Sequence, residues 1–192
     1  MTGVQTCALP IYICVEVDDV DAAVAELLKR GGLPEMGRRG AGSQYVNMVD
    51  TLGITFEVMK KGQMAAAGYS NLPKPTRFAT GAVEHVGVLV RDANKAARMF
   101  ADVFGIARPK TSVQKGQVFP KDFAGDRKAA PRTAYFPTRP IAVEFLEPTG
   151  GRSPWRDRLE YAGPSIHHIA VRVQGMPAEI AYAEKAGAQV VA

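Results

Sequence analysis

Cysteine is scarce in this chain. Cys7 and Cys14 are the only two among 192 residues. They are too few for a disulfide framework and stand at no zinc-ribbon spacing, so the expected home is a reducing cytoplasm. No apolar run approaches the roughly 18–20 residues that cross a bilayer, so no membrane partner is expected. The N-terminal residues lack a basic stretch followed by an apolar one and a small-residue cleavage site, the pattern of a secretory signal. Basic residues outnumber acidic ones, 24 to 19, but they are spread along the chain. No stretch interleaves them with aromatics, which excludes a nucleic-acid platform. The net charge of +5 fits a mildly basic soluble surface. It also fits a basic mouth for an anionic substrate such as a coenzyme A thioester.

What is present is the composition of a soluble globular protein, with 46% hydrophobic and 22% charged residues. The length suits one domain, or one and a half small ones. The first eleven residues, MTGVQTCALPI, have no helix or strand period and resemble a translated sequencing adapter. Residues 1–11 are therefore expected to be non-native. The chain is expected to be a fragment at both ends, since it also stops at VVA without a closing strand.

Three segments repeat one pattern. YICVEV (Tyr12–Val17), HVGVLV (His85–Val90) and HIAVRV (His168–Val173) alternate apolar and variable residues, as half-buried strands do. A helix is expected after each. The first spans about Asp21–Arg30, with Val20, Val24, Leu27 and Leu28 on one face, Asp19 or Asp21 as cap, and Gly31–Gly32 as stop. The second spans about Asn94–Phe104 and stops at Gly105; the third starts near Pro177 and stops at Gly187. Three strands are expected after the first helix, near Leu33–Arg39, Gln44–Val49 and Ile54–Lys60, with DTLG as a turn. Three more follow the second, near Ala107–Val113, Arg132–Phe136 and Pro140–Leu146. The Gly-, Lys- and Pro-rich insert Lys115–Ala130 is expected to be a substrate-side loop.

The plan is βαβββ over 12–60, a linker over 61–82, βαβββ over 83–148, a connecting helix over 149–164 and a truncated third module over 165–192. The connecting helix should be capped by Ser153, with Pro154 at its first position and Trp155 packed on Leu159. If the first two modules come from different parent domains, the third is an orphan strand and helix. Sheet edges left exposed by truncation are expected to favour a homodimer or aggregation.

This plan, from Tyr12 onward, resembles the vicinal oxygen chelate superfamily, the glyoxalase/bleomycin-resistance/dioxygenase group. AVEHVGVLV and IAVEFLEPTGGRSPWRDRLEYAGPSIHHIAVRV look most like its methylmalonyl-CoA epimerase branch. The resemblance implies an α+β fold in which paired βαβββ modules form a curved mixed sheet with helices outside. It places metal ligands at His85, Glu144 and His168, and at Glu57 as the matching position of the first module. Tyr12 stands where that module would carry its histidine. The fourth ligand of the His168 module would lie on a strand the chain does not contain.

Imidazole nitrogen and carboxylate oxygen together suit a borderline divalent ion such as Co, Mn, Zn, Ni or Fe. An open site of this kind chelates neighbouring substrate oxygens and stabilises an enolate. The resemblance thus implies a metal-dependent isomerase or lyase acting on a small molecule, specifically an epimerase-like or lactoylglutathione lyase-like enzyme, although the fragment itself is open to being inactive. Two readings stand beside it, an extradiol or hydroxyphenylpyruvate-type dioxygenase relative and a metal-free, bleomycin-resistance-like binding module. Each candidate also has a plainer reading, a satisfied strand histidine for His85 and His168 and an edge charge for Glu57. By strand alternation His167 should point away from His168. Glu144 and Glu147 should face opposite sides, with Glu144 in the cavity if Phe145 packs under the helix, and Glu147 as a solvated strand end. Arg132, Arg139 and Lys121 are either substrate-attracting or simply solvated, and Cys14 reads as core.

Overall fold

The computed structural model describes residues 12–37, 42–66, 83–119 and 121–189. The adapter-like segment 1–11 and most of the expected linker, 67–82, lie outside the described residues. The chain divides into two compact units, Met1–Val49 with Ile54–Tyr69, and Asp50–Gly53 with Ser70–Ala192.

The smaller unit has four strands, β1 (Tyr12–Val17), β2 (Leu33–Gly37), β3 (Ser43–Met48) and β4 (Ile54–Lys60), in the order β1-β4-β3-β2. β1 runs parallel to β4, and the other pairs are antiparallel. Helix α1 (Val20–Lys29) makes the crossover from β1 and lies on β3 and β4. Asp19 is its cap, accepting from the backbone N–H of Ala22 at 3.0 Å, and Val24 and Leu27 are its buried face. Between β3 and β4 a single helical turn, α2 (Val49–Leu52), occupies most of the expected DTLG turn and Gly53 ends it at φ 68°; its residues from Asp50 onward are grouped with the larger unit. Another, α3 (Gln63–Ala66), stands where only linker was expected.

The larger unit holds a five-stranded sheet of β5 (Val83–Leu89), β6 (Ser112–Val113), β7 (Ala130–Phe136), β8 (Ala142–Thr149) and β9 (Ser165–Val171), ordered β6-β7-β8-β5-β9. β5 is parallel to β8 and antiparallel to β9. The third-module strand is therefore not an orphan. It pairs along the opening strand of the second module. β6 is only two residues long, because Ala107–Lys110, with its proline, forms no ladder.

Helix α4 (Ala93–Phe104) covers one face of this sheet, packing on β7 and β8. Asp92 caps it by accepting from Lys95 N–H at 2.9 Å, and Gly105 closes it in the left-handed region at φ 60°. Phe100 meets Phe136 and Phe145 with ring centroids 4.8 and 5.3 Å away. Phe145 thus packs under the helix. By alternation Val143 and Glu147 share its face, and Glu144 and Leu146 lie opposite.

Helix α5 (Pro154–Ala162) contacts β8 and β9 on that opposite face. Ser153 caps it through Arg156 N–H, with Pro154 in the first turn. Leu159 buries against Leu89 and Leu146, and Trp155 packs on this group. The insert is fastened to the turn before α5, where Asp126 accepts from the backbone N–H of Gly151 at 2.8 Å. Phe119 of the insert stacks on Phe123 and meets Trp155 edge-on at 6.0 Å. Helix α6 (Met176–Lys185) ends the described chain without a buried residue.

Phe145 has no exposed surface, so Phe145→Ala should remove about 3–5 kcal/mol of stability. Chemical denaturation checks this, and a loss below about 1 kcal/mol would contradict the packing described.

Candidate metal centre

β5 is the central strand of the site. Gly87 pairs with Glu144 on β8 and with His168 on β9, while Tyr135 on β7 pairs with Glu144. Tyr135, Glu144, Gly87 and His168 therefore form one row across four strands. His85, two residues before Gly87, points to the same face, away from α4.

The side chains meet there. His85 Nε2 is 3.1 Å from His168 Nε2 and 3.6 Å from Glu144 Oε2. One donor atom from each of His85, Glu144 and His168 lies within 4.8 Å of the others, the only such group of three or more His, Cys, Asp or Glu found among the described residues. Two donors about 2.1 Å from one ion, at angles between octahedral and tetrahedral, lie about 3.0–3.4 Å apart. The two separations from His85 Nε2 are close to that, and two imidazoles with a carboxylate suit a divalent ion. The residues present fit the group.

The ionisation states agree with this. Burial, with His167 and His85 adding to it, pushes His168 down to about 4, so its ring is neutral at pH 7. Burial holds the Glu144 carboxyl above its usual range, and His85 partly offsets the rise. His167 is lowered by burial and then by Arg158.

Gly87 makes the arrangement possible. A Cβ there would stand 2.2 Å from Cε1 and 2.5 Å from Nε2 of His168. The imidazole occupies the room that glycine leaves open. The Tyr135 ring meets His85 edge-on at 5.9 Å. Neither Gly87 nor Tyr135 was singled out from the sequence, although their places at Glu144's flanks follow once the strand register is known.

His167 departs from expectation. The β5–β9 register shifts between Gly87 and Val88, so His168 pairs with Gly87, Ile166 with Val88, and His167 is the extra residue of a bulge. Its Nδ1 lies 3.1 Å from Nδ1 of His168, so the two rings meet instead of diverging. Glu147 is no solvated strand end. It accepts from the N–H of Ala93 at 3.0 Å, at the start of α4, and pairs with Arg132 at 2.7 Å. Arg132 is thereby engaged on the α4 side of the sheet.

Glu57 belongs to the smaller unit, hydrogen-bonded to Tyr45. Its surroundings repeat the register of the larger unit. Glu57 pairs with Cys14 and Tyr45 as Glu144 pairs with Gly87 and Tyr135. Tyr12 occupies the His85 position and meets Tyr45 edge-on at 5.1 Å. The row is retained, but with tyrosine and cysteine in place of histidine and glycine.

Residues 84–192 match the family described as Glyoxalase/Bleomycin resistance protein/Dioxygenase superfamily. The chain belongs to this superfamily. No curated protein matches the sequence. Among solved structures, a triple mutant of 4-hydroxymandelate synthase from Streptomyces coelicolor is similar at TM-score 0.56 and 16% identity over 91% of this chain. The chain spans about half of that synthase, 52% of its length. Methylmalonyl-CoA epimerase from Mycobacterium tuberculosis is similar at TM-score 0.45 and 20% identity, over 64% of this chain and 75% of its own. Lactoylglutathione lyase from Agrobacterium tumefaciens gives 0.34 and 14%, over 73% and 93%. The likeness to the synthase is one of fold, and the superfamily fold is the α+β arrangement of mixed sheets and outer helices seen here.

Two outcomes follow from the geometry. Gly87→Ala should displace the His168 ring and cost about 1–3 kcal/mol through overpacking, read by thermal denaturation and by the His168 NMR signals; unchanged signals would refute the slot. In metal-free protein, the His168 ring should titrate by NMR near pH 4, well below an ordinary imidazole, because burial penalises its charged form. A midpoint near 6.5 would show a solvated ring.

Proposed function

We propose that this chain carries the metal centre of an enzyme that acts on a small oxygen-rich molecule, with His85, Glu144 and His168 as ligands. The observation that carries the reading is the convergence of those three donors on one face of one sheet. Glu57, the fourth residue proposed from the family pattern, supplies the corresponding carboxylate of the smaller unit. When bound, a divalent ion supplies Lewis acidity, which favours chelation of two neighbouring oxygens and stabilises the enolate formed when an adjacent C–H loses its proton.

The chain's own side chains do the rest. His85 and His168 offer imidazole nitrogen, and Glu144 offers a carboxylate whose burial strengthens its attraction to a cation. Leu89, Leu146, Leu159 and Trp155 give the same face an apolar end, which excludes water beside the polar group. An epimerase or lyase of acyl substrates, including acyl-CoA thioesters, is the reaction class this supports best. A second reading, an Fe(II) dioxygenase, is favoured by the donor set itself, since two histidines and one carboxylate are the facial set of such enzymes.

Titration with Co(II) and Fe(II) tests the centre. One ion per chain is expected, with His85→Ala and Glu144→Ala each weakening binding by at least about 100-fold, since each variant removes a ligand. Exchange of the substrate's α-hydrogen for deuterium would support the enolate chemistry, and oxygen uptake with Fe(II) would support the dioxygenase. A chain that binds a small apolar ligand and no metal would replace both with the binding-module reading.

A further inference from the structure

His168 is engaged at both ring nitrogens, Nε2 by His85 and Nδ1 by His167, each at 3.1 Å. A neutral imidazole carries one N–H and one lone pair. Three rings in line therefore admit two arrangements. In one, His85 Nε2–H donates to His168 Nε2, and His168 Nδ1–H donates to His167 Nδ1. In the other every bond is reversed, and His168 Nε2 carries the proton. Only the first leaves the His168 Nε2 lone pair directed toward His85 and Glu144.

The backbone is built for that contact. In a regular ladder His167 would project to the α4 side of the sheet. The bulge brings it round to the site face at the residue next to His168. On the other side, the missing Cβ of Gly87 lets the His168 ring lie against β5. One neighbour leaves room for the ring and the other holds its nitrogen.

We propose that His167 is a positioning residue that accepts the Nδ1–H of His168 and so keeps the proton off Nε2 of that ring, leaving there a lone pair that a metal ion can take in place of the His85 N–H. The inference rests on the reading of His85, Glu144 and His168 as a metal centre. An acceptor on the far nitrogen of a ligating histidine fixes its tautomer and orientation, and losing such a partner weakens metal binding by about 10–100-fold.

The test compares wild type, His167→Asn and His167→Phe. Asparagine can present an amide oxygen near the position of the Nδ1 it replaces, whereas phenylalanine keeps the ring and offers no acceptor. Long-range 1H–15N NMR correlations on metal-free protein report which His168 nitrogen carries the proton. Wild type and His167→Asn should show the Nδ1–H tautomer, and His167→Phe should lose its predominance while circular dichroism stays native. Co(II) affinity should hold within about threefold in His167→Asn and fall about 10–100-fold in His167→Phe. A wild-type His168 protonated at Nε2 would overturn the proposal, as would an unaltered tautomer and affinity in His167→Phe, or loss of both in a folded His167→Asn. If wild type holds the Nδ1–H tautomer yet takes up no Co(II), the metal reading fails and the role of His167 toward His168 stands.

Discussion

The larger unit depends on β5 being hydrogen-bonded on both sides, in parallel to β8 and antiparallel to β9. Those ladders bring residues distant in sequence into one row across the sheet, with Glu144 on one side of Gly87 and His168 on the other. The same pairing divides the work of the two faces. Phe145 and Glu147 serve α4, one through apolar packing and the other through its first backbone N–H, while Glu144 and Leu146 face the opposite side. Because side chains alternate strictly, moving β8 by one residue would exchange those roles.

Much of this was legible in the residues. The three copies of an alternating strand, the caps Asp19 and Ser153 and the stop at Gly105 depend on local chemistry, and local chemistry is written in adjacent letters. The choice of Glu144 over Glu147 also followed from parity, once Phe145 was taken as the residue beneath the helix. What was not legible depends on neighbours brought in by the fold. His167 was misplaced because a bulge is a property of two paired strands and leaves no mark in one. Gly87 reads as an ordinary small residue until the His168 ring is seen where its Cβ would be. Glu147 was read as solvated because its partners, Ala93 and Arg132, come from a helix terminus and another strand. The turn DTLG was read correctly as a reversal, but its helical turn depends on residues beyond the four.

The smaller unit shows how the same backbone plan can hold different contents. Tyr45, Glu57 and Cys14 stand in register as Tyr135, Glu144 and Gly87 do, and Tyr12 stands where His85 does. The tyrosine and the glutamate are common to both rows. In the smaller unit the glutamate is hydrogen-bonded to Tyr45, and the position of Gly87 is filled by a side chain, Cys14, whose thiol is pushed up to about 11 by burial and then by Glu57 and Glu16. The row therefore specifies where a carboxylate stands, and its neighbours decide whether that carboxylate meets an imidazole or a phenol.

The bulge at His167 also sets stability against purpose. Without the extra residue in β9, the pairing with β5 would run unbroken from His85 to Leu89. Selection for folding strength alone would tend to smooth the strand and separate the paired histidines. Persistence of the irregularity among descendants of this chain would therefore mark selection acting on the rings rather than on the sheet.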